Sequence, residues 1–402
     1  MNVGGVHLTY CTNIHAADGW AAVFENLRRY APALKQRFAA DAPFGIGLRL
    51  SARDARELLD GHLHEFRDWL AREGLYVAII NGFPYGAFHR AVVKADVYAP
   101  AWTDDARVRY TLDLVEILAA LLPAGLDGGV STAPLSYKAW MPASDTDGWR
   151  AATTNVVRVA TAMARLRRDR HIDVHLDIEP EPDCSIENTD ETLAFFEEWL
   201  LPIGVPILAR ELGIKEADAR ADLLHHVRVC FDCCHFAVEY EDPIAALDRL
   251  TSRGIRIGRI QLSSALRVAM PQDLTAQARL TDRLRPFDDT TYLHQVIAKR
   301  HDRLEHYPDL ADALGACRGD CGSEWRIHFH VPLFSRDYDG LDSTQDDVRA
   351  VIEAARTRRL TTHMEIETYT WDVLPGALKI DLLESIAREY EWVVGGLRAL
   401  KA

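Results

Sequence analysis

Eight short apolar segments alternate along this chain with longer amphipathic stretches, and that rhythm restricts the fold more than any other feature. The strand-like segments are Val6–Thr12, Phe44–Ser51, Leu75–Asn81, Gly128–Pro134, Val174–Glu179, Val227–Asp232, Ile255–Leu262 and Met364–Tyr369. Helix-like stretches lie between them, among them Trp20–Phe38, Ala52–Glu73, Asp104–Leu122, Asp147–Arg168, Thr189–Leu212 and Asp372–Leu400. Strands separated by helices pair in parallel, so the expected class is α/β and the leading architecture a closed (β/α)8 TIM barrel. No linker-like or low-complexity run interrupts the 402 residues, which predicts one domain over 1–402. About 100 residues separate the seventh and eighth strands, well beyond a normal repeat, and residues 267–334 are expected to form an insertion over the barrel mouth. Within it Arg267–Arg303 reads as polar helix and Trp325–Phe334 as an extra strand.

The strands have two unlike faces. Asp173, His175, Asp177 and Glu179 alternate with Val174, Leu176 and Ile178; Arg228, Cys230 and Asp232 alternate with Val227, Val229 and Phe231; His363, Glu365 and Glu367 alternate with Met364 and Ile366. With a period of two, one face packs on helices and the other points into the barrel. A lumen holding several carboxylates needs a cation or solvent to offset their repulsion.

Charge narrows the partners. A formal net charge of −14 opposes binding to nucleic acid or to an anionic membrane surface, since both need clustered Lys and Arg. No run of about 18 uninterrupted apolar residues predicts membrane insertion. The seven Cys are irregularly spaced, which suits a reducing cytoplasm better than a disulfide framework. Oligomeric state is not readable.

The chemistry concentrates at strand ends. In VRVCFDCCHFAVEYEDP, Asp232 closes an apolar strand and His235 follows three residues later. Glu179 and Glu181 are each followed by proline, which holds their backbones extended. Gln261 ends the seventh strand with Arg267 beyond it, and Glu365 and Glu367 share a face of the last strand, Glu367 nearer its C-terminal end. Carboxylate, carboxylate with His, carboxamide and carboxylate at four strand ends make a divalent-metal site of Glu179, Asp232, Gln261 and Glu367. Glu365 sits a layer deeper or pairs with a buried Arg. His328 and His330 form a His-x-His pair that can bind metal or, in the insertion, contact substrate. His15, Arg49, Asn81, Tyr85 and His89 follow early strands and can line the same mouth. The expected substrate contacts are therefore His235, His328, His330, Arg267, Asn81, His15, Glu181 and Glu365. Cys230, Cys233 and Cys234, and the Cys317/Cys321 pair, do not supply four thiolate ligands for structural zinc.

These phrases resemble the xylose-isomerase-like TIM-barrel superfamily, through LDIEPEP, FDCCH, the seventh-strand Gln261 and HMEIETYTW. More narrowly, HLTYCTNIH, FGIGLRLS, INGFPYGAFH, GRIQLSSALR and EIETYTWDVLP resemble the EboE family of metabolite-traffic proteins, over His7 to Pro375. The resemblance implies that Glu179, Asp232 and Glu367 bind metal, that Glu179 and Glu367 are the acid/base pair, and that His235 contacts metal or substrate. Gln261 stands where many members have His, which favours Mn or Mg over Zn. The implied activity is isomerisation or epimerisation of a sugar, sugar phosphate or cyclitol through an enediolate. A cyclitol dehydratase shares the first step, and a non-catalytic metabolite-binding barrel is the reading from another class.

Overall fold

The computed structural model describes residues 1–86, 93–338, 340–374 and 380–398. Eight parallel strands form the barrel wall: Val6–Tyr10, Phe44–Arg49, Leu75–Asn81, Asp127–Thr132, Asp173–Ile178, Val227–Asp232, Ile257–Leu262 and His363–Ile366. From the second strand on, each pairs with the next in sequence, and the eighth also pairs with the first. A parallel bridge between Cys11 and Gly47 brings the first strand against the second. The expected α/β TIM barrel is what forms. Asn2–Val3 adds a short antiparallel strand to the first, below the barrel.

The helices lie outside, with their apolar faces on the strands. Trp20–Phe38 runs as expected, whereas Ala52–Glu73 is broken at Gly61, whose φ of 133° no helix accommodates. Thr189–Leu212 is helical throughout and is long and apolar enough to cross a membrane by length and composition; a third of its apolar window is buried. It packs on Thr146–Arg170 and Glu216–His226.

The lower lumen answers the repulsion expected between its carboxylates, and it does so with a side chain. Arg259 of the seventh strand is fully buried and donates to Asp177 Oδ2 (3.1 Å), Glu365 Oε2 (3.2 Å) and the Ile80 and Gly129 carbonyls. Gly258 leaves room for this layer, because a Cβ there would fall 1.8 Å from Asp177 Oδ1. Glu365, expected among the substrate contacts, therefore belongs to the barrel floor and does not line the cleft.

The stretch after the seventh strand mixes strands and helices, whereas helix is expected throughout Arg267–Arg303. Within Arg267–Arg303 the α-helix is confined to Leu274–Leu284, and Pro286 closes it in a single 3-10 turn. The strands Ser264–Ala269, Val296–Arg300, Arg303–Tyr307, Glu324–Val331 and Asp342–Ser343 make a separate antiparallel sheet. Cys317 and Cys321, expected as thiols, are joined in a disulfide. The turn between them, with Gly319 at φ 101°, brings their Cα atoms to 5.0 Å, inside bonding range. The other five cysteines are free and buried.

Candidate active site

The C-terminal ends of the strands open on a cleft. Its walls include Asn13, Asn81, Tyr98, Glu179, Glu181, His235, His328, His330, Glu367 and Tyr369. Asp232 lies just behind this surface, fully buried.

Asp232 serves two purposes. One oxygen, Oδ1, caps the helix Cys233–Val238 by accepting from the His235 N–H (3.0 Å), and it also accepts from Ser263 Oγ (2.7 Å). Its Oδ2 has no hydrogen-bond partner. The same is true of Glu179 Oε2 and Glu181 Oε2. Unpartnered buried carboxylate oxygens are costly, and a site that collects them fits a cation. Glu367 is held differently: its Oε1 accepts from Asn13 Nδ2 (2.8 Å) and Asn81 Nδ2 (3.2 Å).

Electrostatics follow from this crowding. Burial, then the charges of Asp232 and Glu181, push Glu179 well above the ordinary carboxylate range. Glu367 is likewise raised, by burial and then by Glu179 and Asp232. Glu181 is raised to about 7, chiefly by burial. Burial raises Asp232 too, but His235, His330 and the Ser263 hydroxyl outweigh it and hold the group below its usual value. A divalent ion among these groups would return the raised carboxylates to their anionic forms.

The antiparallel sheet's contribution is histidine. A bulge between Ile327 and His330 interrupts the pairing of Glu324–Val331 with Ser264–Ala269, and bulges re-aim side chains. His328 and His330 both reach the cleft, with His330 Nδ1 donating to the Glu367 carbonyl (2.7 Å). Burial lowers both; His330 falls to about 4.

Several expected contacts lie elsewhere. Arg267 faces Asp342 across the antiparallel sheet, away from the cleft, because its strand alternates outward there. His15 is stacked on Tyr30 (centroids 4.3 Å apart) and meets Tyr10 Oη at 3.1 Å, so packing against Trp20–Phe38 claims its ring. Gln261 is buried below the cleft, and its Oε1 accepts from the Cys230 thiol (2.9 Å). Arg49 is buried beside Asp54, its Nη1 at 3.6 Å from Oδ2. Tyr85 packs on Tyr110. His89 lies outside the described residues. Asn13, Tyr98 and Gln295 are not singled out by the sequence; Asn13 stands two residues before His15 in the same phrase, while Tyr98 ends a short 3-10 helix and Gln295 lies in a loop, neither in a pattern.

One buried acid outside the cleft tests the electrostatics. Glu239 Oε1 has no partner, and burial with Glu187 nearby raises the carboxyl from its ordinary 4.5 to about 9. A raised folded-state pKa favours the fold fully below the unfolded value, and that contribution is lost as pH rises toward 9. Glu239→Gln should therefore leave stability unchanged at acid pH and raise it at pH 8 by on the order of 3 kcal/mol, read from urea midpoints. Equal effects at both pH values would contradict this.

No protein-family model matches the chain, and no curated protein does. Among solved structures, a xylose isomerase-like TIM barrel protein from Mycobacterium smegmatis in complex with magnesium is similar over 100% of both chains, at 13% identity and a TM-score of 0.50. A xylose isomerase domain protein from Planctomyces limnophilus is similar over 99% of this chain and 98% of its own, at 11% identity and 0.50. The chain shares the TIM-barrel fold of these structures. At such identities the likeness is one of fold.

Proposed function

We propose that this chain is a divalent-cation-dependent isomerase or epimerase of a sugar, sugar phosphate or cyclitol. The observation that carries the reading is the meeting of Glu179 and Glu367 in one cleft, with Asp232 buried behind it and close enough to raise both, and with Glu179 Oε2 and Asp232 Oδ2 buried and without a hydrogen-bond partner. The magnesium complex of a protein with this fold supports a divalent ion here. Glu179, Asp232 and Glu367 would hold it, with Gln261 as a fourth group once its oxygen is released from the Cys230 thiol. Oxygen ligands suit Mn or Mg at this centre. Bound there, the ion would supply Lewis-acid polarisation of a substrate carbonyl.

The residues do the rest. Glu179 and Glu367 extend from the fifth and eighth strands, on different sides of the mouth, so one can take a proton from carbon and the other can return one. Asn13 and Asn81 orient Glu367. Glu181 and the three imidazoles form the adjoining wall, against which the remaining substrate oxygens lie. The resemblance of several phrases to the EboE family supports a place in secondary metabolism.

The test is incubation of the protein, loaded with Mn²⁺ or Mg²⁺, in D₂O with a panel of ketoses, inososes and their phosphates. Deuterium should enter at the carbon beside the carbonyl of one of them. Tight binding of a panel member without any uptake would instead favour a metabolite carrier.

A further inference from the structure

Beside the three-carboxylate centre lies a second group of donors. One donor atom from each of Glu181, His235 and His328 lies within 4.8 Å of the others, and all three residues are buried. The hydrogen bonds around the two rings settle which nitrogen carries hydrogen. His235 Nδ1 lies 2.9 Å from the Pro180 carbonyl, which can only accept. His328 Nδ1 lies 2.7 Å from Gln295 Oε1. The orientation of that amide is fixed in turn, since Gln295 Nε2 donates to the Pro182 carbonyl and to Tyr98 Oη, both at 3.1 Å. Each ring is thus held with hydrogen on Nδ1 and a bare lone pair on Nε2.

Those two bare nitrogens face each other at 3.2 Å. Two acceptors at that distance repel, and no N–H is left to join them. Two imidazoles on one tetrahedral zinc, with Zn–N of about 2.0–2.1 Å, place their nitrogens about 3.3 Å apart. Glu181 completes a third ligand: Oε1 accepts from Tyr98 Oη (2.9 Å), and Oε2 is buried without a partner. Tyr98 and Gln295 thus tie the carboxylate and one imidazole into a single network, as outer groups around metal ligands commonly do.

We propose that Glu181, His235 and His328 form a second cation site that takes Zn²⁺, with two nitrogens, one carboxylate oxygen and an open position toward the cleft. Two imidazoles favour zinc over magnesium or manganese, in contrast to the oxygen-rich neighbour. The insertion brings His328, so the site arises from the union of barrel and antiparallel sheet. It goes beyond the isomerase reading and does not depend on it. A proton bridging the two rings is the rival occupant.

The test uses the full chain, stripped with chelator and titrated with Zn²⁺ against a chromophoric competitor at pH 7.5. Wild type should bind two equivalents, one of them showing two imidazoles by zinc-edge X-ray absorption. His328→Gln should lose that imidazole-bearing equivalent, weakening it by at least about 100-fold. Gln295→Met, which frees His328 Nδ1 without removing a ligand, should weaken it by about 10–100-fold, and it keeps the test valid if His328→Gln misfolds. Unchanged zinc affinity in both variants, or no zinc with two imidazoles in wild type, overturns the site. The Asp232→Asn variant separates the two centres: it should lose the oxygen-bound equivalent and retain the one held by histidine.

Discussion

Glu179→Gln should lower solvent-hydrogen exchange into the substrate by about 10²–10⁴-fold, the range that one general base contributes, while substrate affinity changes little. The carboxyl is 3% exposed and carries one oxygen without a partner, so the amide fits the same space. Its raised pKa arises first from burial and then from Asp232 and Glu181. A cation between Glu179 and Asp232 would offset the burial and the repulsion and leave a carboxylate that is basic near neutral pH. Glu367 differs because Asn13 and Asn81 already donate to it, so Glu367→Gln should disturb orientation and metal retention together. Exchange at the wild-type rate in Glu179→Gln, measured by mass spectrometry in D₂O, would remove this residue from the chemistry. The proton transfer would then have to be sought at Glu367 or Glu181.

The barrel was legible because each strand's alternation is local and each helix between strands has a clear apolar face. Asp232, Glu179 and Glu367 were legible because a charged residue ending an apolar strand has few structural reasons to be there. What escaped was set by partners distant in sequence. Arg259 sits in the middle of GRIQL, where nothing announces that its guanidinium fills the lumen between Asp177 and Glu365. Gln261 ends its strand as expected, yet a neighbouring thiol occupies its oxygen. Arg267 and His15 have suitable chemistry and follow the right strands, but strand alternation turns one outward and an aromatic stack holds the other. Of the antiparallel sheet, Trp325–Phe334 was legible as a strand and forms over Glu324–Val331, while its partners were hidden in short segments between helices and polar turns.

Arg259→Met should destabilise the fold by about 3–5 kcal/mol, the usual cost of removing one partner from a buried ionic network. Four acceptors lose their donor at once: Asp177, Glu365 and the Ile80 and Gly129 carbonyls. Asp177 keeps His175 Nδ1 at 2.5 Å, so the heavier loss falls on Glu365, whose Oε1 already has no partner. Adding Glu365→Gln to the Met variant should therefore recover part of the stability, because it removes the carboxylate that has lost its cation. The consequence reaches the cleft, since Glu365 and Glu367 lie two residues apart in one strand and Glu367 holds its place through the Leu262 carbonyl of Arg259's own strand (3.1 Å). Metal retention at the carboxylate centre should fall in the single variant and return in part in the double. Urea denaturation at pH 7 and metal analysis on the same samples check both halves, and a loss below about 1 kcal/mol would show that solvent, and not Arg259, balances the lumen.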